Sequence, residues 1–93
     1  MPTISTFDGI LISMMYGEGS RHNQPHLHAF YGGQEVLVSL DGEVLAGSIP
    51  KNKMKLLLLW MELHTDELQK NWQLMIEHKP LNKIKPLKIT EEI

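Results

Sequence analysis

The segment YGGQEVLVSLDGEVLAG, residues 31–47, carries the clearest signal of the fold. A Gly-Gly pair and an Asp-Gly pair frame a run in which Val36, Val38 and Leu40 recur at every second position. Two-residue turns of this kind join antiparallel strands, and apolar residues at every second position place one face of a strand in a core. The stretch therefore predicts neighbouring antiparallel strands joined by tight turns.

The residues before this stretch extend the same pattern. Asp8-Gly9 gives another hairpin signal between segments rich in β-forming residues. A small antiparallel sheet of four to five strands is therefore expected within residues 1–48, with strands at residues 3–7, 10–16, 26–31, 35–40 and 43–47.

The pattern changes from strand to helix at Pro50, a residue that suits the first turn of a helix. Apolar residues then recur at helical spacing, which predicts helices at about residues 51–64 and 66–78 within a helical region of residues 50–79. Thr65 is the predicted N-cap of the second helix. The segment 80–93 is expected to be extended, docking through Leu81, Ile84 and Leu87. The prediction is a single α+β domain, residues 1–93, with both helices packed on one face of the sheet.

Composition excludes several classes of protein. The net charge of −2 disfavours a duplex nucleic-acid binder, and the absence of cysteine excludes disulfides and thiolate metal sites. The longest apolar run, residues 56–61, is too short to span a membrane. We therefore expect a cytoplasmic protein with no membrane partner and no cofactor.

Two histidines lie in the segment QPHLHAFYGG, residues 24–33. His26 and His28 are two positions apart on a predicted strand, so both side chains project from one face, with Cα atoms about 6–7 Å apart. Such a pair can act as general acid and base, because the ordinary pKa of imidazole is about 6.5. It can also bind a metal weakly, with His22 as a third ligand, although no closed metal site is expected without cysteine.

In the acid–base interpretation the substrate is RNA, and His22 is a further candidate catalytic residue. Arg21 and Asn23 precede the strand and Tyr31 ends it; these are the candidate binding residues. A guanidinium can hold phosphate, and an aromatic ring can stack on an unpaired base. In the alternative interpretations the histidines bind neighbouring backbone and only shape the sheet, or the same surface recognises a ligand or protein.

The first predicted helix is apolar on nearly all sides between residues 54 and 63. A helix of this kind is normally covered on more than one side. Either the second helix and the terminal segment cover it, or a small partner protein or a second copy of the chain does.

The chain resembles the small prokaryotic DUF4160 family over nearly its whole length. The resemblance rests on Met-Pro-Thr-Ile-Ser at residues 1–5, His22-Asn23, Pro25-His26-Leu27-His28, Tyr31-Gly32, Asn71-Trp72 and Ile84-Lys85-Pro86-Leu87. Family members usually read Asp-His-Asn-Pro-Pro-His-Phe-His in the loop, whereas this chain has Arg21, Gln24 and Leu27 at three of these positions. If that aspartate binds a metal or orients His22 in the family, this chain has lost that interaction.

The resemblance implies a role through genetic association. Members are often encoded beside a second small family, DUF2442, and the pair has been suggested to form a toxin–antitoxin-type module with this family as the toxin. The leading hypothesis is therefore a toxin-like protein that acts in a complex with a small antitoxin-like partner and cleaves RNA if it is an enzyme. The competing hypotheses are a non-enzymatic binding or regulatory module and a weak histidine-based metal-binding protein.

Overall fold

A computed structural model describes residues 3–14 and 24–87 of the chain. The described part has five strands followed by two helices: β1 (Thr3–Phe7), β2 (Ile10–Ser13), β3 (His26–Tyr31), β4 (Gln34–Ser39), β5 (Val44–Gly47), α1 (Lys51–Leu63) and α2 (Thr65–Ile76). The strands form a five-stranded sheet in the order β1-β2-β3-β4-β5, and every neighbouring pair is antiparallel. The predicted α+β architecture is confirmed.

Two-residue turns join β1 to β2 and β3 to β4, whereas the predicted two-residue turn at Asp41-Gly42 is wrong, because these residues lie in a longer loop, residues 40–43, between β4 and β5. Asp8 and Gly9 have φ values of 55° and 81°, and Gly32 and Gly33 have values of 54° and 85°. Positive φ at both central residues is typical of type I′ turns, whose twist matches that of the flanking strands. Because the loop between β3 and β4 is this short, Tyr31 pairs directly with Gln34. The strand therefore begins at Gln34, one residue earlier than predicted.

The predicted strand ends differ from the observed ones by a few residues. The second strand ends at Ser13 rather than at residue 16, and residues 15 and 16 lie outside the described part. β4 ends at Ser39 rather than at Leu40; the Leu40 N–H still donates to the carbonyl of Pro25, at 3.0 Å, but Pro25 has no N–H with which to return the bond. These differences leave the order of the elements unchanged.

The core lies between one face of the sheet and the helices. Leu27 and Ala29 of β3 are fully buried on this face, beside Val36 and Val38 of β4. Both helices add residues to the same cluster, namely Leu57, Trp60, Met61, Leu68 and Met75. Burial of this cluster fixes which face of each strand points inward, because a shift of one residue would turn the apolar side chains to the opposite face.

The junction between the helices does not use the predicted cap. His64, and not Thr65, is the residue before α2, and its side chain makes no capping hydrogen bond to the helix. The Thr65 hydroxyl instead lies 3.1 Å from the carbonyl of Met61 and 3.2 Å from that of Glu62. Threonine hydroxyls donate to carbonyls of the preceding turn when one is within reach. Thr65 therefore ties α2 to the end of α1.

The segment after α2 docks through backbone hydrogen bonds. The Ile84 N–H donates to the Ile4 carbonyl at 2.8 Å, and the Trp60 indole N–H donates to the Lys85 carbonyl at 2.8 Å. Ile84 is buried, and Leu81 and Leu87 pack against the core, as predicted. Within residues 3–14 and 24–87, no helix has the length and apolar character needed to cross a membrane.

Candidate active site

The two faces of β3 have different chemistry. Leu27 and Ala29 face the core, so the alternate residues His26, His28 and Phe30 project from the opposite face. The rings of His26 and His28 are 5.3 Å apart, and those of His28 and Phe30 are 6.4 Å apart and nearly parallel. The structure therefore brings the two predicted histidines together on one face of the sheet.

His26 differs from the expectation of an accessible ring, because it is only 2% exposed. Its Nδ1 lies 2.9 Å from the carbonyl of Gln24, so this nitrogen donates to the backbone. Its ring also lies 5.4 Å from the ring of Trp72 in α2. The sequence did not reveal this burial, because Trp72 is distant in the chain and arrives only when α2 folds back over the start of β3.

His28 is the more accessible of the two histidines, with 13% of its side chain exposed. Its Nδ1 lies 2.8 Å from Oε2 of Glu35, whose side chain is 43% exposed. A carboxylate only accepts hydrogen bonds, so Nδ1 carries the proton in this pair. In the neutral ring Nε2 is therefore unprotonated, and the described residues give it no hydrogen-bond donor.

Glu35 was not predicted as a site residue, although the hairpin register contains the signal. The two-residue turn pairs Phe30 with Glu35 and His28 with Leu37, so Glu35 is diagonal to His28 on the same face. Diagonal side chains of this length reach each other across a sheet. The Gly32-Gly33 turn therefore carries the information needed to find the pair.

Ser13 borders the same site on the other side of His28. It is the direct cross-strand partner of His28 on β2, and it is fully buried. Its hydroxyl has no hydrogen-bond partner within the part of the chain that the structure describes. Its burial makes it unsuitable as a nucleophile.

Of the other predicted site residues, only Tyr31 lies in the described part of the chain, and it does not join this site. Tyr31 projects from the opposite face, where the Lys53 ammonium lies 5.2 Å from its ring centre. Arg21, His22 and Asn23 lie outside the described residues. Among the described residues, no three His, Cys, Asp or Glu side chains are placed to hold a metal ion.

A second histidine–carboxylate pair lies at the helix junction. His64 Nδ1 bonds to Oε1 of Glu67, and the His64 ring lies 5.4 Å from the ring of Trp60. This pair has the same chemical groups as His28 and Glu35, with comparable exposure of 17% and 53%. It lies among the helices rather than on the sheet face, which makes it a natural control.

Together these features define a small α+β protein that carries an oriented histidine on the face of its sheet opposite the core. The chain belongs to the family described as domain of unknown function (DUF4160), whose model matches residues 9–73. The match includes His26, His28, Glu35 and all of α1, but neither end of the chain. No curated protein and no solved structure matches the chain.

Proposed function

We propose that this chain is the toxin-like member of a cytoplasmic two-gene module, and that it acts on RNA by proton transfer at His28. The observation that carries the proposal is the 2.8 Å hydrogen bond between His28 Nδ1 and Glu35. The resemblance described above contributes the two-gene context and the small antitoxin-like partner protein.

The chemistry follows from the orientation of the ring. Imidazole accepts and releases protons near neutral pH more readily than any other side chain. A carboxylate that binds one ring nitrogen fixes the tautomer and stabilises the imidazolium that forms at the other nitrogen. Glu35 is placed to do this for His28, which turns an ordinary histidine into an oriented base.

In the proposed reaction, His28 Nε2 takes the proton of a ribose 2′-hydroxyl while that oxygen attacks the adjacent phosphorus. The bond from phosphorus to the 5′-oxygen breaks, and the leaving oxygen takes a proton from water. The imidazolium then returns its proton to the solvent. The products are a 2′,3′-cyclic phosphate and a 5′-hydroxyl, with no net change in protons.

This mechanism uses one histidine where the sequence suggested a pair. His26 is buried and its Nδ1 is bound to the backbone, so it is poorly placed to protonate a leaving group. Its ring lies against His28 at 5.3 Å and helps to hold that ring in place. His26 is therefore proposed as a positioning residue.

A non-enzymatic binding module is the competing function. It is favoured by the small exposed fraction of His28, 13%, and by the half-buried apolar neighbours Phe30 and Leu37. A protein or ligand can be recognised on such a surface by one imidazole and a few apolar contacts. Growth and RNA-cleavage assays of His28→Gln and Glu35→Gln separate this function from catalysis.

The first experiment is expression of the chain in a bacterial host. Wild type is expected to arrest growth, and His28→Gln and Glu35→Gln are expected to relieve the arrest. His64→Gln and Glu67→Gln remove the control pair and are expected to arrest growth as wild type does. Unchanged arrest by soluble His28→Gln would refute the proposed role of this residue.

The second experiment incubates purified protein with total RNA and analyses the fragment ends. Wild type and His64→Gln are expected to give 2′,3′-cyclic phosphate ends, and His28→Gln is expected to be slower by about 10²–10⁴-fold, the usual contribution of a general base. Intact RNA with wild-type protein, together with loss of arrest in His28→Gln, would identify the face as a binding surface and contradict catalysis.

A further inference from the structure

One side of α1 has no cover within the described part of the chain. Leu58, Leu59 and Leu63 are 37%, 45% and 62% exposed. Together with four exposed polar residues they recur every three or four positions, which places them on one side of the helix. We call this side the outer face of α1; its residues are Lys51, Asn52, Lys55, Leu58, Leu59, Glu62 and Leu63.

The charges of the outer face are ordered along the helix. Lys51 and Lys55 lie near the N-terminus, Leu58 and Leu59 lie in the middle, and Glu62 lies in the last turn. The helix dipole favours the opposite order, with acids at the N-terminus and bases at the C-terminus. None of these charged groups has an ion-pair partner among the described residues, whereas Lys53 on the inner side pairs with Asp8 at 3.5 Å.

We infer that the outer face of α1 binds the same face of a second copy of this chain, with the two helices antiparallel. A twofold axis between Leu58 and Leu59 places Lys55 opposite Glu62 of the second copy, because these residues are equally far from the axis. The symmetry makes this ion pair twice. The charge order that is unfavourable within one helix becomes complementary between two antiparallel ones.

A groove beside the outer face provides room for side chains of the second copy. It has a volume of about 360 Å³ and lies between α1 and the turn that follows β4. Leu40, Leu58 and Met61 form its apolar part, and Glu62 lies at its rim. A leucine from the opposing helix can enter this groove and lose its contact with water, which strengthens an otherwise flat contact.

The dimer is expected to be weak. A helix of 13 residues is about 20 Å long at 1.5 Å per residue, so the contact is smaller than a standard stable interface. The chain should therefore be monomeric when dilute and dimeric at high concentration. This inference does not depend on the proposed activity, because His28 lies on the sheet face away from α1.

Sedimentation velocity over a range of concentrations tests the inference. Wild type is expected to change from the mass of one chain, 10.7 kDa, towards twice that value as concentration rises. Lys55→Glu and Glu62→Lys each place like charges across the axis and are expected to weaken self-association about tenfold. The double variant Lys55→Glu/Glu62→Lys reverses both partners and is expected to restore it.

Two further variants distinguish this interface from nonspecific association through exposed apolar residues. Leu59→Lys is expected to abolish self-association, whereas Ile76→Lys, an exposed apolar residue of α2, is expected to leave it unchanged. Circular dichroism checks that each variant is folded. A single-chain mass at every concentration would overturn the inference and leave the face to a different protein. Failure of the charge-reversed double variant to associate would overturn the antiparallel arrangement.

Discussion

His28 Nδ1 and Glu35 Oε2 lie 2.8 Å apart although the residues are seven positions apart in the chain. The β3–β4 hairpin brings them together, because its two-residue turn fixes Glu35 on the strand next to His28. The pair is therefore part of the sheet and not a chance contact between mobile side chains. Anything that displaces the backbone at Glu35 should disturb the orientation of His28.

Gly47 is the residue of β5 that constrains Glu35 most directly. It has a φ of +75°, and a Cβ there would collide with the backbone carbonyl of Glu35. Gly47→Ala is therefore expected to lower the free energy of unfolding by about 3 kcal/mol, measured by urea denaturation.

Gly33→Ala is the matched control for Gly47→Ala. Gly33 also has positive φ, +85°, but a Cβ there would meet no atom within 4 Å. Its cost should be about 1 kcal/mol, the penalty for the backbone conformation alone. Equal losses in the two variants would show that the close approach to Glu35 does not constrain the sheet.

Much of the sheet follows from local sequence. The pairs Asp8-Gly9 and Gly32-Gly33 adopt the positive φ values that two-residue turns require, whereas Asp41-Gly42, the same kind of signal, lies in a longer loop between β4 and β5. Once these turns are placed, the register follows, and with it the position of Glu35 diagonal to His28. The signal for Glu35 is therefore its spacing from His28 across the Gly32-Gly33 turn.

Other features depend on contacts that no local pattern contains. The burial of His26 needs Trp72, which is 46 residues further along the chain and belongs to a different element. The role of Thr65 depends on whether its hydroxyl reaches a carbonyl of α1 or an N–H of α2, and both choices fit the same sequence. Tertiary packing decides both.

Leucine-to-alanine substitutions on the inner and outer sides of α1 are expected to change the free energy of unfolding by very different amounts. Leu57 is fully buried, and Leu57→Ala is expected to cost about 2–5 kcal/mol because it leaves a cavity. Leu59→Ala removes an exposed side chain and should change the free energy of unfolding by less than about 0.5 kcal/mol in dilute protein. Thermal or urea unfolding of both variants measures the difference. Similar losses would mean that α1 has no free side.

Asn71 is expected to hold the segment after α2 in place. Its side chain is buried, donates to the Asn82 carbonyl and accepts from the Asn82 N–H, both at 2.9 Å. Asn71→Ala leaves two backbone groups without partners and is expected to cost about 2–3 kcal/mol. Amide exchange at Asn82 and Ile84 should accelerate in this variant.

Asn52→Ala is the control for Asn71→Ala, because Asn52 is an exposed helical residue. It should change the free energy of unfolding by less than about 0.5 kcal/mol and leave amide exchange in the terminal segment unchanged. If Asn71→Ala behaves in the same way, the docking of this segment depends on its apolar contacts alone.

The protonation state of the His28 ring shows whether Glu35 orients it. Two-bond ¹H–¹⁵N correlation spectra, recorded about two pH units above the ordinary histidine pKa of 6.5, report which ring nitrogen carries the proton. We expect a proton on Nδ1 and a bare Nε2 in wild type, with a shift towards the Nε2-protonated form in Glu35→Gln and no change in Glu67→Gln. A proton on Nε2 of His28 in wild type, or spectra unaffected by Glu35→Gln, would contradict it.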